Sequence, residues 1–157
     1  MPISEKKEIQ PEGTIENHTI SQTYQDSILK EGGLQDYWKT LSWFDSIARQ
    51  GNPNAQCNLG YMNYYGKGTP QSYSHATDWF SLSAEKEMAA AQSNLGCLYE
   101  DGKGVKQDYS KAIEWYLKAA NQGNAIAQSS LGYMYSRGKG AKQDCSKAID
   151  WCLKAAH

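Results

Sequence analysis

The chain repeats itself every 36 residues, and that period limits its fold more than any other feature. Trp43, Trp79, Trp115 and Trp151 keep the step, as do Leu59-Gly60, Leu95-Gly96 and Leu131-Gly132. Gly66-Lys67-Gly68, Gly102-Lys103-Gly104 and Gly138-Lys139-Gly140 follow the same register, together with Gln56, Gln92, Gln128 and Ala76, Ala112, Ala148. A period of this length marks a stacked supersecondary unit that buries its apolar face only against its neighbours. A chain of 157 residues has room for one short array of such units.

Each unit reads as two helices. The first spans roughly 125–137 in the last unit, with Asn124 as its N-cap. Asn52-Pro53 offers the same cap in the first unit, with Pro at the first helical position. The Gly-x-Gly that follows supplies residues able to take positive φ, which ends the helix. The second helix starts after Asp108 or Asp144. Ala112, Tyr116 and Ala119 stand at i, i+4 and i+7 and form one apolar stripe, broadened by Trp115. The expected architecture is all-α, a right-handed α/α solenoid of about three helix pairs. Leu95, Gly96, Ala112, Tyr116 and Ala119 are its expected core, with Gly96 under the crossing helix.

The third unit carries Ala127-Gln128, Leu131-Gly132, Tyr135, Gly138, Gly140, Gln143-Asp144, Lys147-Ala148, Trp151 and Lys154-Ala155-Ala156. This pattern resembles the Sel-1-like repeat, a relative of the tetratricopeptide repeats, over about residues 35–157. The units then run 52–87, 88–123 and 124–157, after a degenerate leading helix pair at 17–51 and a polar, flexible segment at 1–16. Gln35-Asp36-Tyr37 matches Gln107-Asp108-Tyr109, so 36–50 is the expected second helix of the leading pair, with its first near 19–30. One junction departs from the rule. Gly51 and Gly123 close a second helix, but Glu87 holds the matching position, which puts the usual turn there in doubt.

The resemblance implies that first helices line a concave groove. By register this places Asn54, Cys57, Tyr61, Tyr64 and Tyr65 of the first unit there. Ala90, Ser93, Cys97, Glu100 and Asp101 follow from the second unit, and Ile126, Ser129, Tyr133, Ser136 and Arg137 from the third. Tyrosine suits recognition because it offers large contact area at low entropic cost. The groove lacks a paired Lys/Asn/Arg set, which argues against capture of a C-terminal carboxylate.

Composition removes other function classes. Net charge is -1, so no basic excess exists to neutralise nucleic-acid phosphates. No apolar run approaches the ~20 residues of a membrane span. The first residues lack the apolar stretch of a secretory signal. Cys57, Cys97, Cys145 and Cys152 form no Cys-x-x-Cys pair, and Cys145 and Cys152 lie roughly 10 Å apart along one helix, beyond disulfide reach. Free thiols and a cytoplasmic location are expected. The Gly-Lys-Gly turns are not phosphate loops, since Gly60 precedes Gly66 by one residue too many and Gly68 replaces the hydroxyl residue. Three histidines, His18, His75 and His157, never recur in register, and no metal site or catalytic constellation is legible. Asp78, Glu114 and Asp150 read as surface charges paired with nearby lysines.

The expected function is therefore a non-enzymatic adaptor or scaffold without cofactor. A dedicated inhibitor or immunity-type protein shares every feature read so far. Cysteine-rich members of the resembled family have been linked to penicillin-like compounds, but they carry a cysteine in each helix. Here the four cysteines occupy four different repeat positions, which sets that reading aside. The last helix presents Ala148, Trp151, Cys152 and Ala155 with no following helix to cover part of that stripe, so self-association there, or continuation into further repeats, is also expected.

Overall fold

The computed structural model describes residues 34–157, and these form seven α-helices without a strand. The helices are α1 (Leu34–Arg49), α2 (Pro53–Tyr65), α3 (Tyr73–Glu85), α4 (Ala89–Asp101), α5 (Tyr109–Asn121), α6 (Ala125–Arg137) and α7 (Cys145–Ala155). Helix α1 begins two residues before the expected start at 36. The flexible segment at 1–16 and the helix expected near 19–30 lie outside the described residues.

Short polar side chains set where the helices start. Asn52 and Asn124 accept from the N–H of Ala55 and Ala127 at 3.1 and 2.9 Å. Asp108 and Asp144 accept from Lys111 and Lys147, both at 3.0 Å. Each bond satisfies one of the orphan donors of a first turn. Helices α2, α4 and α6 all stop at a left-handed glycine, Gly66, Gly102 and Gly138, with φ of 67, 67 and 65°. Glutamine then covers the loose carbonyls at those ends. Gln71, Gln107 and Gln143 donate to the carbonyls of Tyr64, Glu100 and Ser136 at 2.9, 2.7 and 2.8 Å.

The junction at Glu87 corrects the expectation. Its φ is 63°, so a non-glycine residue takes the left-handed conformation that Gly51 and Gly123 take elsewhere. The turn bonds are retained: Glu87 N–H to Ala84 O at 3.1 Å matches Gly123 N–H to Ala120 O at 3.0 Å. Packing of α3 against α4 over-determines the turn, and the backbone carries the strain. Met88, in the place of Asn52 and Asn124, gives α4 no side-chain cap.

Neighbouring helices pack in chain order, and three apolar clusters run along the stack. Trp79, Trp115 and Trp151 each lean on the cluster formed by the two helices before them. Leu95, Ala112, Tyr116 and Ala119 are buried as expected. A Cβ on Gly96 would fall 2.7 Å from the Tyr116 ring, and one on Gly60 would fall 2.6 Å from Phe80. The glycine therefore admits an aromatic ring into the helix–helix contact.

Two recurring residues join one unit to the next. Gln56, Gln92 and Gln128, each buried, donate to the carbonyls of Ala48, Ala84 and Ala120 at 3.1, 3.2 and 3.1 Å. They satisfy the end of the preceding helix from inside the core. The second glycine of the second and third turns has a separate task. A Cβ on Gly104 would collide with the backbone of Tyr73 and Ser74, and one on Gly140 with that of Tyr109. The second and third turns thus press on the first residues of the previous unit's second helix.

Candidate partner-binding surface

The first helices α2, α4 and α6 stand side by side. Helix α4 touches α6 directly, in addition to its contacts with its chain neighbours α3 and α5. Among the described residues no direct contact of that extent joins two second helices, so the first helices are the more closely spaced row.

The register-derived residues divide into three groups. Cys57 and Ser93 are corrections: they are 2% and 3% exposed and pack inside the stack. They stand at the same repeat position, which the next unit covers, so neither reaches a partner. Ser129, the matching residue of the last described unit, is exposed. A second group is half-buried: Asn54, Tyr61, Tyr64, Cys97, Glu100 and Ser136. Tyr65, Asp101, Tyr133 and Arg137 are exposed, and these share two repeat positions.

Tyrosines in the first unit are held rather than free. Tyr61 packs edge-on to Phe80 with centroids 5.3 Å apart, and its hydroxyl accepts from Asn94 Nδ2 at 2.7 Å. Burial pushes its phenol upward in pKa. Tyr64 meets Tyr65 and Tyr73 edge-on at 4.9 and 5.2 Å. In the second unit the buried Tyr116 hydroxyl donates to Glu100 Oε2 at 2.8 Å and lies 3.2 Å from Cys97 Sγ. Glu100 is thereby spoken for from below. Burial raises the Cys97 thiol and pushes Cys57 up to about 12. Both stay protonated near neutrality, the opposite of what a nucleophilic cysteine needs.

The sequence reading missed the lysines of the Gly-Lys-Gly turns, which it treated as turn residues. Lys103 Nζ lies 5.8 and 5.6 Å from the rings of Tyr64 and Tyr73 and 3.2 Å from Asp101 Oδ2. Its hydrogen bond to Asp101 raises its pKa first, then that to Tyr64. Lys139 lies 4.9 and 5.4 Å from Tyr133 and Tyr109. Lys67 lies 5.7 Å from Tyr65. The signal was present as a tyrosine recurring at Tyr73 and Tyr109 one period apart, within reach of the next unit's lysine.

The remaining candidates take plain surface roles. His75 is exposed. Asp78, Glu114 and Asp150 are exposed too, but among the described residues the ion pairs are Arg49–Asp45 and Lys103–Asp101, so these three are solvated rather than paired. All four cysteines are unbridged. Among the described residues no group of three or more His, Cys, Asp and Glu could hold a metal ion, and no helix is long and apolar enough to cross a membrane. The uncovered stripe expected on α7 is corrected: Ala148 is buried and Trp151 packs on the core cluster, because α6 already covers that side, and the exposed apolar residues are instead Ile149 and Leu153, at 60% and 57%.

Paired helices on one period, glycine–aromatic joints and an accessible row of first helices define an α-helical repeat protein of the solenoid class. The chain belongs to the Sel1 repeat family: the family model matches at residues 53–88, 89–124 and 125–157. Two solved structures are similar. One is c5321, described as a protective antigen present in uropathogenic Escherichia coli strains displaying an SLR fold, at TM-score 0.80 and 38% identity over 88% of this chain. The other is a Sel1 repeat protein from Oxalobacter formigenes, at TM-score 0.75 and 32% identity over 87% of this chain. The chain spans 29% and 53% of the length of those two proteins. No curated protein sequence matches the chain. Sel1 repeats are generally protein–protein interaction modules, typically non-enzymatic scaffolds.

Proposed function

We propose that the row of first helices holds a protein or peptide partner and that the protein acts as an adaptor or scaffold. One observation carries this reading. Tyr65 is 60% exposed on the row of first helices, beside Tyr64 and Tyr73, and lysines stand over all three rings. Pre-ordered aromatics lose little entropy on contact, which is why such side chains anchor interfaces. The raised thiols of Cys57 and Cys97 support a binding role over a chemical one. Four unbridged cysteines support a reducing compartment, the cytoplasm, as part of the same proposal.

Site-specific photo-crosslinking in the native host tests it. A photoreactive residue at Tyr65 or Asp101 should capture partner protein, and one at Glu114 on the second-helix face should not. Equal capture from both faces would overturn the groove. Several partners of modest affinity identify an adaptor, and one tight partner whose activity is blocked identifies an inhibitor.

A further inference from the structure

The end of each first helix presents an accessible residue in every unit: Tyr65, Asp101 and Arg137, one period apart and all exposed. Each is followed two residues later by the turn lysine, Lys67, Lys103 or Lys139. This strip changes chemistry along the array. In the first unit it is aromatic, with Lys67 over Tyr65. In the second unit Asp101 and Lys103 cancel each other at 3.2 Å. In the third unit Arg137 and Lys139 flank one ring, that of Tyr133, at 6.0 and 4.9 Å.

Among the described residues neither Arg137 nor Lys139 takes part in an ion pair, and Glu100, whose charge acts on Lys139, is already engaged by the Tyr116 hydroxyl. Lys139 is held in place by its bond to the Tyr133 hydroxyl at 3.4 Å. Two cations on one exposed ring offer an anion two positive partners at a single place. Arg137 presents a planar fork suited to a carboxylate, and Lys139 adds a point charge. Tyr133 is 46% exposed, so a chain can pass over it in either direction. That openness suits a side-chain carboxylate within a peptide rather than a chain terminus.

We infer that Arg137, Lys139 and Tyr133 form a docking site for an acidic residue, Asp or Glu, of a peptide whose apolar part reaches toward Tyr65. The inference rests on the groove reading above and adds the partner's charge and direction. It also explains why a carboxylate site was invisible in the sequence, where Lys139 counted as part of a turn.

A library of random 12-residue peptides, displayed through their C-termini so that no free carboxyl end is offered, is selected on the full chain. Enriched peptides should carry Asp or Glu toward one end and apolar residues toward the other. Arg137→Glu should weaken their binding at least about tenfold and Arg137→Gln by less, and 0.5 M NaCl should weaken wild-type binding. Tyr65→Ser should weaken binding while leaving the acidic preference. Unchanged thermal melts of both Arg137 variants show that the fold is intact. Enriched peptides without acidic bias, unaffected by Arg137→Glu but weakened by Tyr65→Ser, would overturn the inference and leave the groove standing. Failure to enrich any peptide would overturn both.

Discussion

Gly96 shows how a single missing side chain organises a joint. Tyr116 fills the space a Cβ would take, and its hydroxyl reaches through to Glu100 on the row of first helices. A larger residue at 96 improves helix propensity by up to about 1 kcal/mol but forces the ring out of its seat. The overlap wins. Gly96→Leu should lower stability by about 1–3 kcal/mol, read as a shift in urea midpoint. An unchanged midpoint would contradict the contact. The cysteines offer a second reading at this scale. Cys145 and Cys152 are exposed, whereas Cys57 is buried with its thiol pushed up to about 12. A raised thiol pKa leaves less thiolate at pH 8, and the thiolate is what reacts. Alkylation of the folded protein at pH 8, followed by mass spectrometry, should label Cys145 and Cys152 first and Cys57 last. Early labelling of Cys57 would mean that α3 opens from α2.

The α3–α4 junction is built differently from its counterparts. It lacks both devices its counterparts use, the left-handed glycine and the N-cap asparagine, because Glu87 and Met88 stand in their places. Lys86 Nζ reaches across to the carbonyl of Gly51, and Ser83 Oγ donates to Pro53 O at 2.7 Å, so side chains tie the turn down instead. Glu87→Gly relieves a non-glycine residue at φ 63° and should stabilise by about 1 kcal/mol. Met88→Asn should add a cap bond of about 1 kcal/mol, reduced by whatever contact the methionine sulfur makes with Ser83. Thermal melts of the two variants check both signs, and a destabilised Glu87→Gly protein would show that Glu87 makes an essential contact.

Across the whole molecule, stability depends on how firmly one unit grips the next. Two glycines separate that grip from turn conformation. Gly123 has φ 88° and nothing within 4 Å of its missing Cβ, so Gly123→Ala carries only the left-handed cost, about 1 kcal/mol. Gly104 has φ 70° and in addition faces the backbone of Tyr73 and Ser74, with Ser74 N 2.8 Å from a Cβ. Gly104→Ala should therefore cost clearly more, by roughly a further 1–3 kcal/mol. Equal costs would show that the turn does not bear on the previous unit. In an array held by neighbour contacts, a weakened joint also splits the unfolding transition. A broadened melt for Gly104→Ala, with a single sharp one for Gly123→Ala, is the expected pattern.

Sequence alone determined the helix count over 36–157, the caps at Asn52, Asn124, Asp108 and Asp144, and the stripe that buries Ala112, Tyr116 and Ala119. These are local matters: caps act within three residues, and amphipathic stripes follow from 3.6-residue periodicity. A repeating chain also states its packing several times over, so Gly96 under the crossing helix was legible, whereas the ring that fills its space was not. Tertiary structure decided the rest, because it depends on which unit lies over which. Cys57 and Ser93 share a groove register with Ser129, yet only the next unit's arrival buries them. Gly104 has the same local reason for being glycine as Gly66, and its second reason appears only when Tyr73 of the preceding unit is set against it. Lys139 stands two residues past a helix end in sequence, and comes to lie over the rings of Tyr133, six residues earlier, and Tyr109, thirty earlier. Period and propensity fix what each helix is; contact between units fixes which of its side chains remain for a partner.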